Sequence, residues 1–196
     1  MSFQWIIDSA VDVTYDKSGT TSQSMSRDSV VRTVSRGAKP WKFSVTPCPG
    51  LRWIDADVRA NIEECTALGT YTQTTIGFTA TKHNWIFGWQ GTGSISGLSG
   101  SWTIGSNTLT VSGSATFKAG DVIKLGSNGH VYSVAANGSG TLTLNRQIID
   151  ATGSASLIVG SLCTWQVFCV KIPQFKITPL GFIEWQGTFD FVEAIA

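Results

Sequence analysis

The sequence predicts a mainly β protein: a β-sandwich with one amphipathic helix, interrupted by an inserted small β-barrel-like module. Three observations predict it. Period-two alternation recurs near both ends, in Trp41-Lys42-Phe43-Ser44-Val45 and in Ile183-Glu184-Trp185-Gln186-Gly187-Thr188-Phe189-Asp190-Phe191. One segment alone, residues 51–68, carries helical spacing. Between Gly91 and Gly160 lie 13 of the 21 glycines but only five charged residues: Lys118, Asp121, Lys124, Arg146 and Asp150.

Residues 3–15 alternate loosely through Phe3, Trp5, Ile7, Val11, Val13 and Tyr15, which reads as an N-terminal strand broken near Ser9-Ala10. Lys17-Ser18-Gly19-Thr20-Thr21-Ser22 has the composition of a turn or mobile loop. Val30, Arg32 and Val34 resume β character ahead of a turn at Arg36-Gly37-Ala38. Pro47 and Pro49 end the strand at 41–45, because neither can donate a ladder hydrogen bond. In the helix, Leu51, Ile54, Val58, Ile62, Cys65 and Leu68 fall on one face. Asp55 and Asp57 lie in its early turns, where the helix dipole favours negative charge, and Gly69 suits its left-handed cap.

Tyr71 to Phe78 reads as a strand, and the aromatic-rich His83–Trp89 as a further candidate. In the glycine-rich stretch, short β runs fall at 101–104, 108–111, 121–125, 130–134, 141–144 and 156–159. Close spacing of such runs suits a small barrel or sandwich. Asn128-Gly129 is its strongest hairpin signal, since both residues tolerate positive φ. Trp165–Ile172 and Ile183–Phe191 then read as long strands, the second with Ile183, Trp185, Phe189 and Phe191 on one side. A strand that late must pair with an earlier one. The expected organisation is therefore a discontinuous domain, 1–91 plus 163–196, with the glycine-rich module 92–162 inserted and its ends, Gly91 and Leu162, close together.

Apolar residues make up 42% and charged residues 14%, so much of the surface is polar but uncharged, as where a protein packs against copies of itself or partners. A formal charge of +1 gives no electrostatic case for nucleic acid or an anionic membrane. No apolar run approaches the roughly 20 residues that span a bilayer, so no membrane insertion is expected. Met1–Trp5 has no basic start and the apolar run stops at Asp8, so no signal peptide is expected. Cys163 and Cys169 lie six apart in one strand, about 20 Å at strand rise, too far for a disulfide. Four reduced buried thiols, formed in a cytoplasm, are expected.

The sequence carries no recognisable catalytic or metal-binding constellation. Cys48, Cys65, His83, His130, Cys163 and Cys169 contain no C-x-x-C or H-x-x-x-H pair, so no metal site is expected. Asp8, Asp12 and Asp16 could bind calcium or do acid–base work, but they suit the solvated face of a strand better. Gly93-Ser94-Ile95-Ser96-Gly97 has the wrong spacing for a nucleophile elbow, and a serine triad would need His83 or His130. His130 follows the hairpin turn and reads as exposed. Gly91-Thr92-Gly93 opens no helix, so neither a phosphate loop nor a dinucleotide fingerprint is present. Flat tryptophan rings could stack on sugars, yet Trp41, Trp165 and Trp185 occupy alternating strand positions that suit a core or subunit interface. The expectation is no catalytic residues, no cofactor, no metal and no enzymatic activity.

Phe117-Lys118-Ala119-Gly120-Asp121-Val122-Ile123-Lys124-Leu125-Gly126, His130-Val131-Tyr132-Ser133-Val134 and Thr141-Leu142-Thr143-Leu144 together resemble a small β module of tailed-bacteriophage tail proteins. The flanking parts resemble distal tail proteins and minor tail, or baseplate hub, proteins: a strand ending near Val45, a helix from Leu51, and a terminal Phe189-Asp190-Phe191-Val192-Glu193. The resemblance implies an oligosaccharide-binding-like barrel inserted in a β-sandwich. It further implies a virion structural protein, assembled in the host cytoplasm into a ring of self, hexameric in the family, at the distal end of the tail tube. Its implied partners are the tail tube protein and the hub or receptor-binding proteins. The alternative is a carbohydrate-binding module that contacts host cell-surface glycans through exposed aromatics.

Overall fold

The structure is a computed structural model that describes residues 3–18, 39–138 and 140–195, with residues 21–25 and 31–35 as backbone. The expected turns at Gly19-Thr20 and Arg36-Gly37-Ala38, and the residue Val30, lie outside the described residues.

The chain opens with a helix, α1 (Gln4–Ser9), where a strand was expected. Phe3, Ile6, Ile7 and Ala10 are all buried, and their spacing of three, four and seven is that of one helix face. The strand begins only afterwards, as β1 (Asp12–Asp16). The backbone then forms a hairpin of β2 (Thr21–Met25) and β3 (Val31–Ser35), so Thr21 and Ser22 belong to a strand and not to the expected loop. After β4 (Lys42–Thr46), the second helix α2 (Ala56–Leu68) starts later than residue 51, at Asp55 as its N-cap. Residues 51–53 are held instead by the far end of the chain: Trp53 donates to the Gly181 carbonyl, and Ile183 to that of Leu51. Ile54, counted on the apolar face, is 73% exposed. Gly69 caps α2 with a positive φ of 67°, but its ψ of −175° lies outside the left-handed helical conformation expected for it.

Next comes β5 (Gln73–Gly77). His83–Trp89 forms turns and no strand, because its aromatic residues serve packing: Phe87 is buried with its ring 4.8 Å from that of Trp165. Six strands follow: β6 (Ser99–Trp102), β7 (Thr108–Ser112), β8 (Val122–Leu125), β9 (Val131–Gly138), β10 (Thr141–Leu144) and β11 (Gly153–Val159). They close into a barrel in the order β10-β7-β6-β11-β8-β9. A short 3-10 turn (Gly160–Leu162) leads into β12 (Thr164–Lys171), then β13 (Gln174–Ile177), β14 (Ile183–Gln186) and β15 (Phe189–Glu193). The alternation over 183–191 is therefore two strands in different sheets. Gly187, with φ 128°, breaks it.

The mainly β fold with an inserted small barrel is what the structure has. The other large element is a five-stranded antiparallel sheet, β1-β4-β15-β12-β5, so the first and last segments share one sheet. The barrel strands lie in sequence between β5 and β12, which are neighbours in that sheet. Phe43, Val45, Trp165, Val167, Cys169, Phe189 and Phe191 bury one face of the sheet. The layer expected as the second sheet of a sandwich is built from α1, the Phe78–Phe87 segment and the outer wall of the barrel, all joined in one apolar cluster. The two-stranded sheet of β13 and β14 stands beside it, with Trp185 against Phe189.

Two barrel strands explain how the parts meet. In β8, Ile123 and Leu125 fill the barrel interior, whereas Val122 joins the core of the sheet. In β9, Tyr132 and Val134 face inward while Val131 joins the sheet core. Period two thus buries both faces of these strands. One edge strand of the five-stranded sheet, β5, is covered by α1. Gln4 lays its side-chain amide along Gly77, donating to its carbonyl at 2.8 Å and accepting from its N–H at 2.9 Å. An amide side chain there does what a neighbouring strand would do, and it blocks edge pairing at that position.

The β8–β9 turn is tight in an unexpected way. The Leu125 N–H donates to the His130 carbonyl, so residues 126–129 form the loop. Positive φ falls at Gly126 (74°), and neither Asn128 nor Gly129 adopts it. Gly129 is required for space: a Cβ there would strike the Leu125 carbonyl oxygen.

Candidate functional site

The densest polar chemistry lies in the seam between barrel and sheet. Arg146, in the segment after β10, and Glu193, at the end of β15, are each 2% exposed at the side chain. Both guanidinium Nη atoms donate to the carboxylate, Nη1 to Oε2 and Nη2 to Oε1, each at 2.6 Å. Arg146 also donates to the carbonyls of Lys39 and Val131, and its guanidinium lies 4.9 Å from the centre of the Tyr132 ring. Glu193 Oε2 further accepts from the Trp41 N–H, and the Trp41 indole N–H donates to the Val131 carbonyl. Three segments far apart in sequence meet there. Two buried charges in an apolar seam hold only because geometry and added hydrogen bonds offset their desolvation.

Other contacts extend the seam. Lys124, 3% exposed on β8, donates from Nζ to Thr164 Oγ1 on β12 at 2.9 Å, and burial pushes its ammonium below its ordinary pKa. Asp121, also 3% exposed, accepts from the N–H of Gln90 and of Lys118, pinning the entry of the barrel to its own turn at Gly120. The exit lies close by: a Cβ on Gly160 would press on the Phe87 carbonyl and the Trp89 N–H at 3.2 Å.

His130 is not the exposed turn residue the sequence suggested. Its side chain is 21% exposed, with Nδ1 2.9 Å from Asp150 Oδ1 and Nε2 3.3 Å from the Ala194 carbonyl. Asp150 accepts from the His130 N–H and, at 2.6 Å, from the Tyr132 hydroxyl, which itself accepts from the Ile149 N–H. Hydrogen bonding to Asp150 raises the His130 pKa above its ordinary 6.5 against the opposing effect of burial, and Glu193 adds to the rise. Burial would raise Asp150, but the bonds from His130 and Tyr132 outweigh it and hold the carboxyl below 3.8. Burial first, and then the bond to Asp150, pushes the Tyr132 phenol well above its ordinary pKa, so it stays protonated. A carboxylate-oriented histidine suits general-base work, but the outer nitrogen of this ring is engaged by Ala194.

The remaining sequence candidates stay apart. Asp8 lies in α1, bonded by Gln4, while Asp12 and Asp16 are exposed at the two ends of β1. His83 is buried against the Ala10 carbonyl. Among the described residues no three His, Cys, Asp or Glu side chains are grouped to hold a metal ion. All four cysteines are free; Cys65, Cys163 and Cys169 are buried, and Cys48 is partly exposed. Burial pushes the Cys65 thiol up to about 11, and those of Cys163 and Cys169 to about 12. Trp41 and Trp165 are buried as expected, whereas Trp185 is only half-buried. No helix among the described residues is long and apolar enough to cross a membrane.

The surface carries two grooves with exposed apolar rims. A groove of about 870 Å³ runs between the β4 end and the β13–β14 hairpin, lined by Val11, Pro47, Pro49, Leu180, Phe182 and Trp185 among others. Leu180 is 82% and Val11 55% exposed, with Ile54 at the same end of the hairpin. At the start of β1, Trp85, 72% exposed, borders a smaller groove of about 350 Å³ with Asp12 and Lys82. The exposed indole therefore lies outside the inserted barrel.

Neither a protein-family model nor a curated protein matches the chain.

Proposed function

We propose that the chain is a structural subunit of a bacteriophage tail tip or baseplate, forming a ring at the distal end of the tail tube and docking hub or receptor-binding proteins. The observation that carries this reading is the closed barrel inserted between β5 and β12, neighbours in one sheet, which is the arrangement the resemblance implies. The seam supports a structural role, because the buried bidentate pair of Arg146 and Glu193 ties barrel and sheet together at one relative orientation. The apolar groove with Leu180 at its rim supports packing against a further protein surface.

Light scattering of the purified protein over a wide concentration range, joined with electron microscopy of the particles, tests the reading. The expected result is a closed ring of defined mass, formed alone or on tail tubes. A strict monomer that forms no ring in either setting overturns it.

Saccharide binding is the second reading, favoured by Trp85 with Asp12 and Lys82 beside it. Saturable binding of cell-surface glycans by the full chain, abolished by Trp85→Ala, would select it.

A further inference from the structure

The His130 ring has an acceptor at each nitrogen: the Asp150 carboxylate at Nδ1 and the Ala194 carbonyl at Nε2. A neutral imidazole carries one N–H, so only the doubly protonated ring can donate to both. The two contacts differ in what they join. Asp150 belongs to the barrel, and it also accepts from the His130 backbone N–H and from Tyr132, bonds that do not depend on the ring's proton. Ala194 directly follows β15 of the five-stranded sheet, where its N–H is bound by the Gln166 carbonyl. Loss of the ring proton would leave Nδ1–H on Asp150 and turn the Nε2 lone pair toward the Ala194 oxygen. The barrel's own bonds would survive, and the bond across the seam would not.

We propose that His130 is a proton-dependent clasp that docks the inserted barrel on the C-terminal end of the five-stranded sheet. The charged groups around it favour the closed state. Asp150 faces it from the segment after β10 and Glu193 from β15, while Tyr132 on β9 stays a neutral donor. Arg146 opposes it from the same side as Glu193 but is neutralised there by that carboxylate, and Lys124 on β8 acts on the cluster through Asp150. The folded ring holds its proton above the ordinary value, so the clasp contributes fully below pH 6.5 and is lost as pH rises through the higher folded value. This inference does not depend on the tail-tip reading.

The test follows the His130 ring nitrogens by NMR together with hydrogen exchange of the intact protein. Expected is a doubly protonated ring persisting above pH 6.5. Across its titration the Trp41 indole N–H, which crosses the same seam, should lose protection about tenfold, corrected for the intrinsic rate. Amides in the barrel interior, such as Leu142, should keep theirs. His130→Asn should show no such pH step. A ring that is neutral below pH 6.5, or Trp41 profiles that run parallel in wild type and His130→Asn, overturns the clasp. Should His130→Asn fail to fold, the wild-type ring titration and the contrast between Trp41 and Leu142 decide alone.

Discussion

Arg146 and Glu193, 47 residues apart in sequence, form a two-pronged ion pair with both N···O distances at 2.6 Å inside the seam between barrel and sheet. Removing one partner leaves the other charged and buried. Arg146→Ala should cost about 3–5 kcal/mol in urea unfolding, through a lower midpoint. The double change Arg146→Met with Glu193→Leu should cost far less than the sum, because no buried charge is left over. Additive losses would mean that the two side chains stabilise the seam separately.

The β8–β9 turn yields a sharper contrast. Gly126→Ala meets a positive φ of 74° and should cost about 1–2 kcal/mol. Gly129→Ala instead drives a methyl into the Leu125 carbonyl and should cost at least as much, about 1–3 kcal/mol. Thermal denaturation of both variants checks the pair. A neutral Gly129→Ala would show that the loop has room to open.

Thiol reactivity separates the four cysteines. Cys65, Cys163 and Cys169 are buried with thiols held at about 11, 12 and 12, so almost no thiolate forms near neutral pH. Only the partly exposed Cys48 should react promptly with a maleimide in the native protein, and all four in denaturant. Mass spectrometry counts the adducts. A second fast-labelling site would place one of the three near a surface that opens.

Much of this fold is legible in the sequence, and each failure has a physical source. The barrel strands announce themselves through period two and glycine turns, and β12 through its long apolar alternation. In the first residues two periods coexist. Phe3, Trp5 and Ile7 suggest a strand, while Phe3, Ile6, Ile7 and Ala10 bury a helix face, and the tertiary core selects the second. At 183–191 the alternation runs unbroken through Gly187, yet that residue's φ of 128° moves the chain from one sheet to another. The seam is the least legible part. Arg146, Glu193, His130 and Asp150 share no motif, because their partnership exists only once the barrel packs against the end of β15. The one hint is scarcity: with five charged residues between Gly91 and Gly160, Arg146 and Lys124 are conspicuous, and the structure buries both.

The groove beside the β13–β14 hairpin carries the prediction that bears most on function. Leu180 is 82% exposed at its rim, so nothing in the chain's own core requires it. Leu180→Asp should therefore leave stability within about 0.5 kcal/mol of wild type. A carboxylate placed in an apolar subunit contact, however, must be desolvated without a partner, which costs several kcal/mol at each interface. If copies of the chain pack through this groove, Leu180→Asp should shift the light-scattering mass toward that of a single chain at unchanged thermal stability. A surface control, Glu63→Lys on the exposed side of α2, should leave the mass where it was. Unchanged assembly in Leu180→Asp would remove this groove from the ring contact and assign it to a different partner, while a monomeric wild type would remove the ring itself.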